Sequence, residues 1–102
     1  MTLNTREKEV LRWAVKTIRR RLRPRKIVLF GSRAEGRGTR GSDFDLAVDR
    51  QRPPLRIERE MLEDIDEGVG LYKIDVVYLR SMDKSFKDLI LSTGKVVYEK
   101  SH

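Results

Sequence analysis

The sequence predicts an α/β fold, one small mixed β-sheet with helices packed mainly on one face, and three observations carry the prediction. Helical and strand periodicities alternate along the chain, the first two strands are joined by a short Gly-rich link, and 102 residues leave room for one domain. A link that short suits an antiparallel pair better than a parallel crossover. The expected organisation is a single domain over residues 1–102, with its core in about 26–98.

The elements follow in order. Val10, Leu11, Ala14, Ile18 and Leu22 fall at helical spacing in residues 5–22, with Thr5 as a candidate N-cap and Pro24 as a stop. Trp13 on this helix reads as a core residue, with partner docking or self-association as the alternative. Residues 26–30 (KIVLF) are apolar throughout, as a central strand covered on both faces would be. The link GSRAEGRGTRGS follows, with room for one helical turn from Ser32, and a second strand starts near Ser42. Pro53 and Pro54 break the chain before a helix holding Leu55, Ile57, Met61, Leu62 and Ile65, which ends near Gly68 and Gly70. A third strand runs from Lys73 to Leu79. Ser81 or Asp83 would cap a last helix holding Phe86, Leu89 and Ile90, and Gly94 would end it before a final strand, Lys95 to Tyr98.

Composition narrows the function classes. No apolar run is long enough to cross a membrane and no signal-peptide segment opens the chain, so the expected location is the cytoplasm. Cysteine is absent and the single histidine is His102, which sets aside disulfides, thiolate sites and histidine catalysis. The net charge of +7 is uneven, with thirteen Lys/Arg against three Asp/Glu in residues 1–40 and ten against thirteen in 41–102. A basic half would attract a nucleotide polyphosphate, an acidic partner or a nucleic acid, and it can also be a solvated helix face.

The chemistry-bearing residues lie around the Gly-rich link. Asp43 and Asp45 alternate with Phe44 and Leu46, so a strand puts both carboxylates on one face, where they could share metal ions or form an ordinary wet polar face. Magnesium suits such a pair because it takes oxygen ligands from one or two carboxylates and from substrate phosphates. Asp75 is the one acidic residue in an otherwise apolar strand, and burying it unpaired would be costly. A third ligand facing the first two, or an ion pair with one of the many arginines, would remove the cost. Gly31 and Ser32 end the first strand, where backbone N–H groups and a hydroxyl can meet phosphate. Arg33 is either a phosphate fork or a solvent-facing loop arginine. The Gly-Ser turn is not a Walker A motif, since no Gly-Lys-Ser/Thr follows, and it is not a GxGxxG after a dinucleotide-binding strand.

The string GSRAEGRGTRGSDFDLAV, with the later IDVV, resembles the nucleotidyltransferases of the DNA polymerase beta superfamily: Gly-Ser, about ten residues, then Asp-x-Asp. Its brevity makes the chain similar to the minimal nucleotidyltransferases (MNT), and the ending LILSTGKVVYEK fits their closing helix, glycine and strand. The resemblance implies the nucleotidyltransferase fold, with Gly31, Ser32 and Arg33 binding a nucleoside triphosphate. Asp43, Asp45 and Asp75 would form the catalytic triad and ligate two Mg2+ ions. Those ions would activate an attacking hydroxyl and neutralise the departing pyrophosphate. The link departs from relatives in placing Glu35 where a basic residue is frequent, among Arg33, Arg37 and Arg40.

The resemblance further implies transfer of AMP from ATP to a hydroxyl. The chain has no room for a module that holds an acceptor, and minimal nucleotidyltransferases pair with a HEPN-family ribonuclease toxin, adenylylating one of its tyrosines as antitoxin. The expected partner is therefore a HEPN-family protein, with no membrane partner and nucleic acid less favoured. The alternative function is a non-catalytic binding antitoxin or nucleic-acid-binding module. Transfer to a small molecule or an RNA end fits a chain of this length less well. Base preference, acceptor and oligomeric state are not written in any short motif.

Overall fold

The computed structural model describes residues 3–31, 33–34 and 43–101. Along them run α1 (Thr5–Leu22), β1 (Lys26–Phe30), β2 (Phe44–Val48), α2 (Leu55–Val69), β3 (Ile74–Tyr78), a 3-10 turn (Leu79–Ser81), α3 (Lys84–Thr93) and β4 (Lys95–Glu99). The sheet order is β3-β2-β1-β4, with β1 antiparallel to both β2 and β4 and β2 parallel to β3. The mixed sheet and the antiparallel first pair are those the sequence predicts.

Helix α1 starts one residue earlier than Thr5 suggests. Asn4 is the cap: its side chain accepts from the Glu7 N–H at 2.8 Å, and the Glu7 carboxylate accepts from the Asn4 N–H at 2.9 Å. This reciprocal pair satisfies two N–H groups that a helix start leaves open, whereas Thr5 is already helical. At the far end Arg23 takes left-handed backbone, φ 48°, its N–H donates to the Arg19 carbonyl, and Pro24 follows. Asp83 caps α3 by accepting from the Phe86 N–H.

Helices α1 and α2 pack together on one face of the sheet. Val10, Ala14 and Ile18 meet Met61 and Ile65 over Ile27, Leu29, Phe44, Leu46 and Val48, all essentially sealed from solvent. Burial of each of these side chains larger than alanine contributes roughly 1.5–3 kcal/mol. Trp13 joins this core, donating from its indole N–H to the Asp64 and Ile65 carbonyls at 3.2 and 3.0 Å. Gly68 makes that approach possible, because a Cβ there would collide with the indole ring.

The opposite face is covered only in part. Val28, Ala47, Leu79 and Ile90 make a smaller cluster under α3, with Phe30 and Val77 at its margin. Gly94 ends α3 in extended, not left-handed, backbone; it is needed for space, since a Cβ would strike Val28 and the Ile90 carbonyl. Strand β3 is an edge strand with residues 75–77 only half-buried, not the fully covered strand its apolar run predicts. With β2 on one side alone and α3 reaching only part of this face, its middle is left open to solvent.

Candidate active site

The side-chain alternation of β2 and β3 assigns the carboxylates to the open face. Phe44 and Leu46 point into the α1–α2 core and Ala47 into the α3 cluster, so Asp45 shares the α3 side with Ala47. Asp75 shares it with Val77 by the same count. In the parallel pairing Asp45 is the register partner of Asp75, and in the antiparallel pairing it is the partner of Phe30. Asp43 stands two residues before Asp45, exposed at the lip of the strand. One sheet face thus gathers acidic side chains separated by 30 residues of sequence.

Gly31 completes this corner. It follows β1 in left-handed backbone, φ 77°, and a Cβ placed on it would lie 2.6 Å from Asp45 Oδ2. Glycine is required twice over, for the turn and to let the main chain lie against the carboxylate. The backbone leaving β1 and the second carboxylate therefore sit side by side, as the phosphate-and-metal reading of Gly31 and Asp45 needs.

The electrostatics of the cluster are repulsive. The Asp45 carboxyl is pushed above its usual value of 3.8, first by burial and then by the charges of Asp75 and Asp43. Among the described residues, the side chains of Asp43, Asp45 and Asp75 form no ion pair or hydrogen bond, whereas Asp64 and Asp49 are each met by an arginine. The ion pair with an arginine that would have explained Asp75 is thus absent among these residues. Mutually repelling, half-exposed oxygen donors fit a hard divalent cation. Among the described residues no three acidic side chains converge enough to enclose a metal alone. That suits magnesium, whose shell is usually completed by water and substrate phosphates.

Arg33 is neither solvent-facing nor turned outward as a free phosphate fork. It is 5% exposed, its guanidinium donates to the Glu7 carboxylate, and it lies 4.1 Å over the Phe44 ring and 5.7 Å from that of Tyr72. One cation therefore touches α1, the strand bearing Asp43 and Asp45, and the lead-in to β3. A phosphate contact by Arg33 would require it to leave these partners. Ser32, the helical turn expected after it, and Glu35, Arg37 and Arg40 lie outside the described residues.

Glu7 is the residue that sequence reasoning missed. Its signal was the Asn4-x-x-Glu7 capping box, which marks a helix start but says nothing about Arg33. Asp49, just past the other end of β2, accepts from Arg80 Nε at 3.1 Å.

A sequence model described as polymerase beta nucleotidyltransferase matches residues 14–102. The chain is 31% identical over 88 residues to the probable protein adenylyltransferase MntA of Haemophilus influenzae, an alignment covering 84% of this chain and 77% of that one. In structure it is similar to a toxin–antitoxin crystallised with AMP-PNP, with a TM-score of 0.73 at 24% identity, covering 88% of this chain and 73% of that one. It is also similar to a Shewanella oneidensis complex of a tri-AMPylated HEPN toxin with an MNT antitoxin. There the TM-score is 0.68 at 19% identity, covering 94% of this chain and 74% of the other.

Proposed function

This chain belongs to the polymerase beta nucleotidyltransferase family, and we propose on that footing that it transfers AMP from ATP to a tyrosine hydroxyl of a HEPN-family toxin, acting as its antitoxin. The observation that carries the reading is the register pairing of Asp45 with Asp75, with Gly31 packed against the Asp45 carboxylate. A protein acceptor agrees with a domain of 102 residues, and the HEPN partner is supported by the similarity to a complex holding an AMPylated toxin.

Asp43, Asp45 and Asp75 would hold up to two Mg2+ ions, which when bound supply charge neutralisation and acidify the attacking hydroxyl. The chain's own part is positioning. Gly31, which lies beside Asp45, and Ser32, which follows it in sequence, would offer main-chain and hydroxyl groups to the β- and γ-phosphates. Arg33, bonded to Glu7 and stacked on Phe44, acts as a positioning residue that holds the turn against β2. The hydroxyl oxygen bonds to the α-phosphorus, the bond to the bridging oxygen breaks, pyrophosphate leaves, and the hydroxyl proton passes to solvent or a nearby carboxylate. No covalent bond to this chain is needed.

The test uses ATP labelled at the α- or at the γ-phosphate, incubated with magnesium, this protein and the HEPN protein encoded beside it. AMP transfer labels the HEPN protein from the α-position only. Label arriving from the γ-position, or none in a complex that forms, refutes the reading.

A further inference from the structure

The cations of α1 converge on a cleft far from the carboxylates. Between the last turns of α1 and the end of β4 lies a cavity of about 470 Å³, lined by Lys16, Arg19, Arg20, Arg23, Pro24, Tyr98 and Lys100. It sits at the Lys26 end of β1, where that strand pairs with Glu99, whereas Asp45 pairs at the Phe30 end. At about 3.3 Å per residue the two ends are roughly 13 Å apart, so the cleft is separate from the triphosphate site.

Ordinary causes explain only part of this cluster. Arg19, Arg20 and Arg21 complement the negative end of the α1 dipole, Arg20 and Arg21 also meet Asp64, and Arg19 stacks at 4.2 Å over the Tyr98 ring. Lys16, Arg23 and Lys100 form no ion pair among the described residues, yet they approach from a helix, its cap and a strand end. Arg23 is held there by left-handed backbone, φ 48°, the one non-glycine residue with positive φ among the described residues. A bulky side chain accepts that conformation at a cost of about 1–2 kcal/mol, a cost glycine would avoid at the same helix end.

We propose that this cleft binds the phosphate backbone of a single-stranded nucleic acid. Its lining has no carboxylate and, apart from Pro24 and the Tyr98 ring, no apolar side chain. Protein interfaces also use arginine and tyrosine, but they bury further apolar anchors and are depleted of lysine, so Lys16 and Lys100 favour a phosphate backbone over an acidic protein. Clustered Lys and Arg beside an aromatic ring are the footprint of backbone recognition on single strands. A cleft of about 470 Å³ has room for one or two nucleotides of a strand.

The inference stands apart from the transfer reaction and is tested without it. The full chain is titrated into a labelled 12-nucleotide oligouridine at several salt concentrations, beside the variant Lys16→Gln/Arg23→Gly/Lys100→Gln. Glycine suits the backbone of position 23, so the variant is expected to melt at or above the wild-type temperature. The expected result is binding by the wild type, at least about tenfold weaker binding by the variant at low salt, and a log–log salt slope shallower by roughly 2, about 0.7 per lost phosphate contact. Equal binding by a folded variant overturns the proposal, as does failure of the wild type to bind. Polyglutamate of matched charge binding as tightly as the oligonucleotide would reassign the cleft to an acidic protein and overturn it too.

Discussion

The Arg33 guanidinium is bonded to the Glu7 carboxylate across 26 residues of sequence, and the pair is almost wholly enclosed by the protein. Two buried opposite charges are stable together and costly apart, because either one alone loses its hydration with nothing to replace it. Glu7 also closes the capping box of α1, so a single carboxylate serves both the helix start and Arg33. Glu7→Ala is expected to lower unfolding stability by about 3 kcal/mol in urea titration. Replacing both charges, as in Glu7→Leu/Arg33→Met, should recover part of that loss. A double variant no more stable than the single would mean that the pair is not what holds the turn.

Gly31→Ala places a methyl group 2.6 Å from Asp45 Oδ2, on backbone with φ 77°. The left-handed backbone alone costs about 1–2 kcal/mol, and relief of the collision must move the carboxylate. We expect reduced thermal stability together with a loss of transfer rate of at least about 100-fold, the scale seen when one transition-state contact is removed. Unchanged kinetics in a folded Gly31→Ala protein would separate the turn from the chemistry.

Asp45→Asn should behave oppositely in stability and activity. Below about pH 3.8 the carboxyl is protonated in both folded and unfolded chains and contributes no difference. From there up to its raised folded value the native state holds the proton more tightly, so stability falls as pH rises, then levels off. At neutral pH the metal-free protein therefore carries a charge it would fold better without. The asparagine variant should melt higher than the wild type in the absence of divalent ions, and added magnesium should stabilise the wild type but not the variant. A lower melting temperature for the variant at neutral pH would contradict the repulsion among Asp43, Asp45 and Asp75.

The α1–α2 contact is a control far from the chemistry. Gly68→Ala pushes into the Trp13 indole and threatens its bonds to Asp64 and Ile65. Overpacking of this kind costs about 1–3 kcal/mol. Chemical denaturation should show that loss while the rate per folded molecule is unchanged.

Much of this was legible in the chain. The 3.6 and 2.0 periodicities place every helix and strand within a residue or two, and the alternation at Asp43, Phe44 and Asp45 sets which side each faces. Pairing was less accessible. The apolar run Ile74, Val76, Val77 reads like a central strand, yet it lies at an edge, because strand order depends on which segments meet after folding. Asp75 is consequently half-buried, and its significance rests on facing Asp45 rather than on the cost of burial. Arg33 was misjudged for a similar reason: a loop arginine looks solvated until a carboxylate 26 residues away and two aromatic rings are brought around it.

The account's central claim is that the Asp45–Asp75 face carries AMP transfer, and the most direct measurement is the rate of α-phosphate label transfer to the HEPN partner by Asp75→Asn protein. The expected result is a rate at least about 100-fold lower, with the variant folded and still forming the complex. A rate equal to wild type would show that Asp75 has no part in the reaction and would contradict the claim.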